Sequence, residues 1–113
     1  MSFITIYITH ANEDEAKRIS NILVEEKYVA CSNIFPITSA YWWNGVMENE
    51  DEWVSIVKSI PENWEAIKHK VSEIHPYDVP CIMKFNVEAN EKYEISTSQR
   101  KLVVEPDNGE ENA

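Results

Sequence analysis

Glycine is almost absent: Gly45 and Gly109 are the only two in 113 residues. Phosphate-cradling loops of the Walker and dinucleotide types need several glycines for close backbone approach, so both are excluded. Cysteine is nearly as scarce. Cys31 and Cys81 allow one disulfide at most, which does not make a secreted scaffold, and a reducing cytoplasm is the expected location. No apolar run approaches the ~20 residues that span a bilayer, and no basic segment followed by an apolar stretch opens the chain. A soluble protein is expected. Positive charge is also in short supply: 10 Lys and Arg face 20 Asp and Glu, for a net charge of −10. Such a field repels phosphate backbones and anionic headgroups, so neither nucleic acid nor a membrane surface is an expected partner.

With 43% apolar residues, a chain of this length can bury one core. Its most informative stretch is Ala40-Tyr41-Trp42-Trp43-Asn44-Gly45-Val46-Met47-Glu48. Asn-Gly readily adopts the positive φ angles of a type I′ turn, and it sits here between strand-forming aromatic and aliphatic residues, which predicts a β-hairpin. Trp53 follows on the returning strand. A small monomer cannot easily cover so many tryptophans, so other copies of the chain are the expected cover.

From Phe3 to Thr9 the residues alternate, with Ile4, Ile6 and Ile8 on one face. Asn12, with Glu15 three residues on, resembles a capping box and opens a helix with the stripe Ala16, Ile19, Ile22 and Leu23, ending near Tyr28. Val29 to Ile34 reads as a strand, interrupted around Pro36 and resuming from Thr38 into the hairpin. A second helix is predicted from Ser59, with Pro61 in its first turn and a core face of Trp64, Ile67, Val71 and Ile74. Pro76 closes it. Val79 to Val87 then alternates, placing Cys81 with Met83 and Phe85 on a face expected to point to the core. Tyr93 to Val104 fits either helix or strand, and 105–113 reads as an acidic disordered tail after a single domain over 1–104.

The order strand, helix, strand, strand, helix, strand predicts an α+β, ferredoxin-like sandwich with both helices on one sheet face. The other face stays open and apolar, which again predicts self-association.

Several motifs in this order are similar to those of the CutA divalent-ion tolerance family. They are Ala30-Cys31-Ser32-Asn33-Ile34, Thr38-Ser39-Ala40-Tyr41-Trp42-Trp43-Asn44-Gly45, Glu52, Lys58 and His75-Pro76-Tyr77-Asp78-Val79-Pro80, within residues 3 to 95. The resemblance implies a homotrimer of ferredoxin-like subunits, PII-like in architecture, with clefts where subunits meet. It also implies a part in tolerance of copper and other divalent ions, while animal members are linked to acetylcholinesterase anchoring. The chain departs from the family pattern at Asn44 and Cys81, where glutamate is usual, and in lacking the glycine soon after Pro36. Some bacterial members have further cysteines where this chain has Thr9 or His10 and Lys70. A copper site built on those thiols is incomplete here.

Cys31, Glu52 and His75 align with or lie next to positions implicated in metal binding in that family, and thiolate with imidazole suits copper or zinc. No local spacing supports their convergence. A small buried hydrophobe is the other reading of Cys31, and a C-terminal helix cap is that of His75. Glu48, Glu50 and Glu52 share a strand face that either attracts cations weakly or is a solvated strand end. Tyr41, Trp43, Lys58 and Tyr77 either line a ligand cleft, with Lys58 meeting an anionic group, or belong to an interface core. No nucleophile signature is present, so an enzyme using Cys31 or His75 ranks below a binding protein or a structural assembly protein with incidental metal contacts.

Overall fold

Among the described residues the elements are β1 (Phe3–His10), α1 (Glu13–Glu25), β2 (Cys31–Trp43), β3 (Val46–Ser59), α2 (Trp64–Ile74), β4 (Ile82–Val87) and α3 (Glu91–Ser98), with a 3-10 turn at Pro61–Asn63. The structure, a computed structural model, describes residues 3–98 and Leu102. The acidic tail and the domain boundary at 104 lie outside the described residues. Of the segment from Tyr93 to Val104, the part up to Ser98 is helical.

The sheet is antiparallel in the order β2-β3-β1-β4, the ferredoxin-like arrangement. Ile4, Ile6 and Ile8 project to the side covered by α1 and α2, where they meet Ile19, Leu23, Ile67 and Val71, all fully buried. Each such side chain contributes roughly 1.5–3 kcal/mol by leaving water. Asn12 caps α1, its Oδ1 accepting from the Glu15 N–H at 2.9 Å, while the Glu15 carboxylate turns to Arg18 rather than back to Asn12. At the other end Lys27 takes a φ of 66°. Its N–H donates to the Val24 carbonyl and that of Tyr28 to the Leu23 carbonyl, the Schellman pattern with lysine where glycine usually stands.

Four expectations need correction. β2 runs through Pro36, which pairs with Trp53, without a break. β2 is a sheet edge, where one row of N–H groups has no ladder partner, so the missing donor of proline costs little. Ser59 belongs to β3, paired with Ile4 and donating from Oγ to the Tyr28 carbonyl, so the second helix starts after the turn at Pro61. β4 begins only at Ile82, because bends occupy 76–79 and Pro80 follows. Met83 and Phe85 do not face the core. They are 45% and 50% exposed on the open sheet face, while Ile82 packs on the core and the Lys84 ammonium lies 5.7 Å from the Trp64 ring on the helix side.

The open face also carries Phe35, 37% exposed. At one end of this face Tyr93 of α3 packs edge-on against Phe3, with ring centroids 5.6 Å apart.

Candidate functional site

β1 pairs with β3 only as far as the couple His10 and Trp53, so the hairpin continues beyond the sheet as a two-stranded ribbon. Asn44 and Gly45, with φ of 51° and 77°, form its type I′ turn. Strand alternation sends Tyr41, Trp43, Glu50 and Glu52 to one side of the ribbon and Trp42 and Met47 to the other. The first side is continuous with the open sheet face. The loop after α2 folds against it, and the two enclose a cleft of about 770 Å³ lined by Tyr41, Trp43, Glu50, Glu52, Tyr77 and Asp78 among others.

Hydroxyl donors fix the carboxylates of this cleft. Tyr41 Oη donates to Glu50 Oε1 at 2.8 Å, Ser39 Oγ to Glu52 Oε1 at 2.6 Å, and Tyr77 Oη lies 3.4 Å from Glu52 Oε2. The charges show in the phenols. The hydrogen bond to Glu50 pushes the Tyr41 pKa up to about 12, and burial followed by the Glu52 charge raises that of Tyr77. Burial and the same glutamate raise the Cys81 thiol, which is half-buried beside the cleft.

His75 positions the loop. Its Nε2 is 2.8 Å from the Thr9 carbonyl and so carries the proton, leaving Nδ1 to accept the Tyr77 N–H at 3.1 Å. Both nitrogens are thus engaged, and the ring stacks on His10 with centroids 5.5 Å apart and tilts against Tyr77 at 4.7 Å. His10 is fully buried beneath it, its Nε2 2.8 Å from Ser55 Oγ. Burial, reinforced by the neighbouring His75, lowers the His10 pKa to about 4.

The residues expected to hold a metal therefore do not meet within one chain. Glu52 lies in the cleft, His75 beneath it with no ring nitrogen to spare, and Cys31 opposite a β3 position six residues from Glu52, roughly 20 Å along the strand. Cys31 pairs instead with Lys58, whose Nζ lies 3.7 Å from its Sγ and also donates to Asn33, with Tyr93 Oη at 3.9 Å. Lys58 is accordingly absent from the cleft, whereas Tyr41, Trp43 and Tyr77 share it. Among the described residues no group of three His, Cys, Asp or Glu side chains is close enough to hold a metal ion. Ser39 and Asp78 join the site without having been singled out. Period-two spacing from Tyr41 pointed to the first, but placing the second requires the loop's fold.

Fold and site define a ferredoxin-like α+β protein with an acidic, aromatic-walled cleft at the root of a projecting hairpin. The CutA1 divalent ion tolerance protein family matches residues 4–95, and the chain belongs to it. A divalent-cation tolerance protein CutA of Archaeoglobus fulgidus is 42% identical over 83 residues, 74% of this chain and 81% of that relative. That of Pyrococcus horikoshii is 35% identical over 91 residues, 80% of this chain and 89% of the relative. Among solved structures, the divalent ion tolerance protein CutA1 from Ehrlichia chaffeensis superimposes with a TM-score of 0.81 at 37% identity, covering 84% of this chain and 91% of that one. The family is named for ion tolerance and not for a catalysed reaction.

Proposed function

We propose that this protein acts in the tolerance of divalent cations, copper among them, as a PII-like cytoplasmic homotrimer whose clefts bind a metal ion or small ligand. The acidic cleft carries this reading: it gathers carboxylates and hydroxyls into one cavity whose size suits a small ligand. It opens on the same side as the apolar sheet face, so a neighbouring copy seated on that face borders it. Trp42 at 73% exposure and Met47 at 58%, on the other side of the ribbon, add apolar surface that a further contact would cover. Cys31 and Cys81 are both free thiols, in keeping with a reducing compartment.

Cys31 approaches Glu52 only if one of them comes from another copy. Within a single chain, metal contact falls to the cleft carboxylates, with weak affinity and little discrimination between ions. Calorimetric titration of metal-free protein with copper and zinc tests this. Weak saturable binding that is lost in Glu52→Gln supports a cleft site, and binding indifferent to that change places the metal elsewhere. That no three potential ligands converge among the described residues also favours a second reading, in which the protein is an assembly platform with incidental metal contacts.

A further inference from the structure

We infer that the cleft takes an organic cation, a small molecule bearing an ammonium or guanidinium group, held between the Tyr41, Trp43 and Tyr77 rings over the carboxylates Glu50, Glu52 and Asp78. This inference rests on the reading of the cleft as the binding site and names its ligand class.

The composition of the cavity excludes the alternatives one at a time. Among the described residues no lysine, arginine or histidine lines it, so an anionic or phosphorylated ligand meets repulsion there and no counter-charge. A bare divalent ion needs several oxygens converging at about 2.0–2.6 Å. Here Glu50 is held outward along the ribbon by Tyr41, and Glu52 is shared between Ser39 and Tyr77, and no group of three potential ligands comes together among the described residues. A neutral apolar molecule would have to desolvate the carboxylates without compensation. An organic cation avoids all three difficulties. Its charge is spread over a volume too large to need a tight oxygen cage, its apolar flanks suit aromatic walls, and ring faces attract it electrostatically.

The polar contacts already present make the site ready for such a ligand. The Tyr41 and Tyr77 hydroxyls point their protons at carboxylates, so the aromatic rings, rather than free hydroxyl donors, are what these two residues offer an occupant of the cavity. Tyr77 is held by the His75 ring through its own N–H, so one wall is fixed to the core through the Thr9 carbonyl. Trp43, 62% exposed, is the wall at the hairpin end. At about 770 Å³ the cavity holds a molecule considerably larger than a hydrated metal ion.

The test is calorimetric titration of the full chain with phenyltrimethylammonium, with benzyl alcohol as the neutral aromatic control and zinc chloride as the inorganic one. Each is repeated with Trp43→Leu and Glu52→Gln after light scattering has shown that both variants keep the parent's size. Saturable binding of the ammonium, absent for benzyl alcohol and weakened roughly three- to thirty-fold in Trp43→Leu, is expected. Glu52→Gln should weaken it as well, and added salt should do the same to the parent. Ammonium binding that is indifferent to both substitutions, or matched by benzyl alcohol, overturns the inference. Zinc binding that depends on Glu52 without any ammonium binding overturns the ligand class but leaves the cleft as the site. Failure of every probe removes the cleft reading together with the inference.

Discussion

At position 10 a histidine lies wholly inside the protein, one ring nitrogen against Ser55 and Nδ1 without a partner among the described residues. Its neighbours are the His75 ring and then Glu15 and Arg18, whose charges act in opposite directions and shift it less than burial does. A folded-state pKa of about 4 against an ordinary 6.5 means that between these values the unfolded chain binds a proton that the folded chain refuses. Stability from this group is therefore complete above pH 6.5 and is lost as the pH falls towards 4, by an amount on the order of 3 kcal/mol at the lower end. Urea unfolding at pH 7 and pH 4.5 should show a steeper loss for the parent than for His10→Gln, and the ring signals of His10 in NMR should remain those of the neutral form down to about pH 4. Parallel losses in the two proteins would show that other groups govern acid sensitivity. None of this could be read from the sequence. His10 follows an alternating strand and looks like its last residue, and the ring that stacks on it comes from a position 65 residues later. His75 is a similar case: its setting before Pro76-Tyr77 marked it for a role, but the carbonyl that fixes its tautomer belongs to Thr9, across the fold.

Local chemistry decides the elements, and it was legible where it acts alone. Asn44-Gly45 announced its turn, the isoleucines of β1 their face, and Asn12 its cap, because each depends on neighbours within a few residues. Asn12→Ala should cost about 1 kcal/mol, since the Glu15 N–H then loses its acceptor, and thermal unfolding measures it. Lys27 offers the opposite opportunity. Its left-handed φ strains a residue bearing a Cβ, so Lys27→Gly is expected to raise stability by about 0.5–1 kcal/mol, with a matching rise in Tm. An unchanged or lower Tm would mean that the gain is cancelled by the greater freedom of the unfolded chain. Pro36 misled because its tolerance depends on a global property, the placement of β2 at an edge. The orientation of Cys81, Met83 and Phe85 was misjudged for a related reason: alternation fixes which residues share a face but not which face meets the helices.

For the molecule as a whole, the proposed assembly rests on the apolar residues left uncovered on the open face. Light scattering should give about three times the 13.1 kDa chain mass. Phe85→Glu, a charge placed where the open face must lose water, should shift the population to single chains at micromolar concentration. A monomeric parent would remove the assembly proposal, and a Phe85→Glu protein of unchanged size would move the interface off this face.

The position of β1 carries a cost that concerns the order of events in time. This first strand occupies the centre of the sheet, with Ile4 pairing with Ser59 on one side and Asn86 on the other. As the chain is made, this segment, built almost wholly of strand-forming residues, precedes both strands that it pairs with and has no sheet edge to join until β3 has followed. The hairpin of β2 and β3 closes locally and can form on a microsecond scale, but it has to wait for β1 to be threaded between it and β4. Completing the sheet requires β1 to pair with β4, as Phe3 does with Val87, and non-local pairing of this kind is slow to form, so α1, the first element to follow β1, provides early cover for its apolar face.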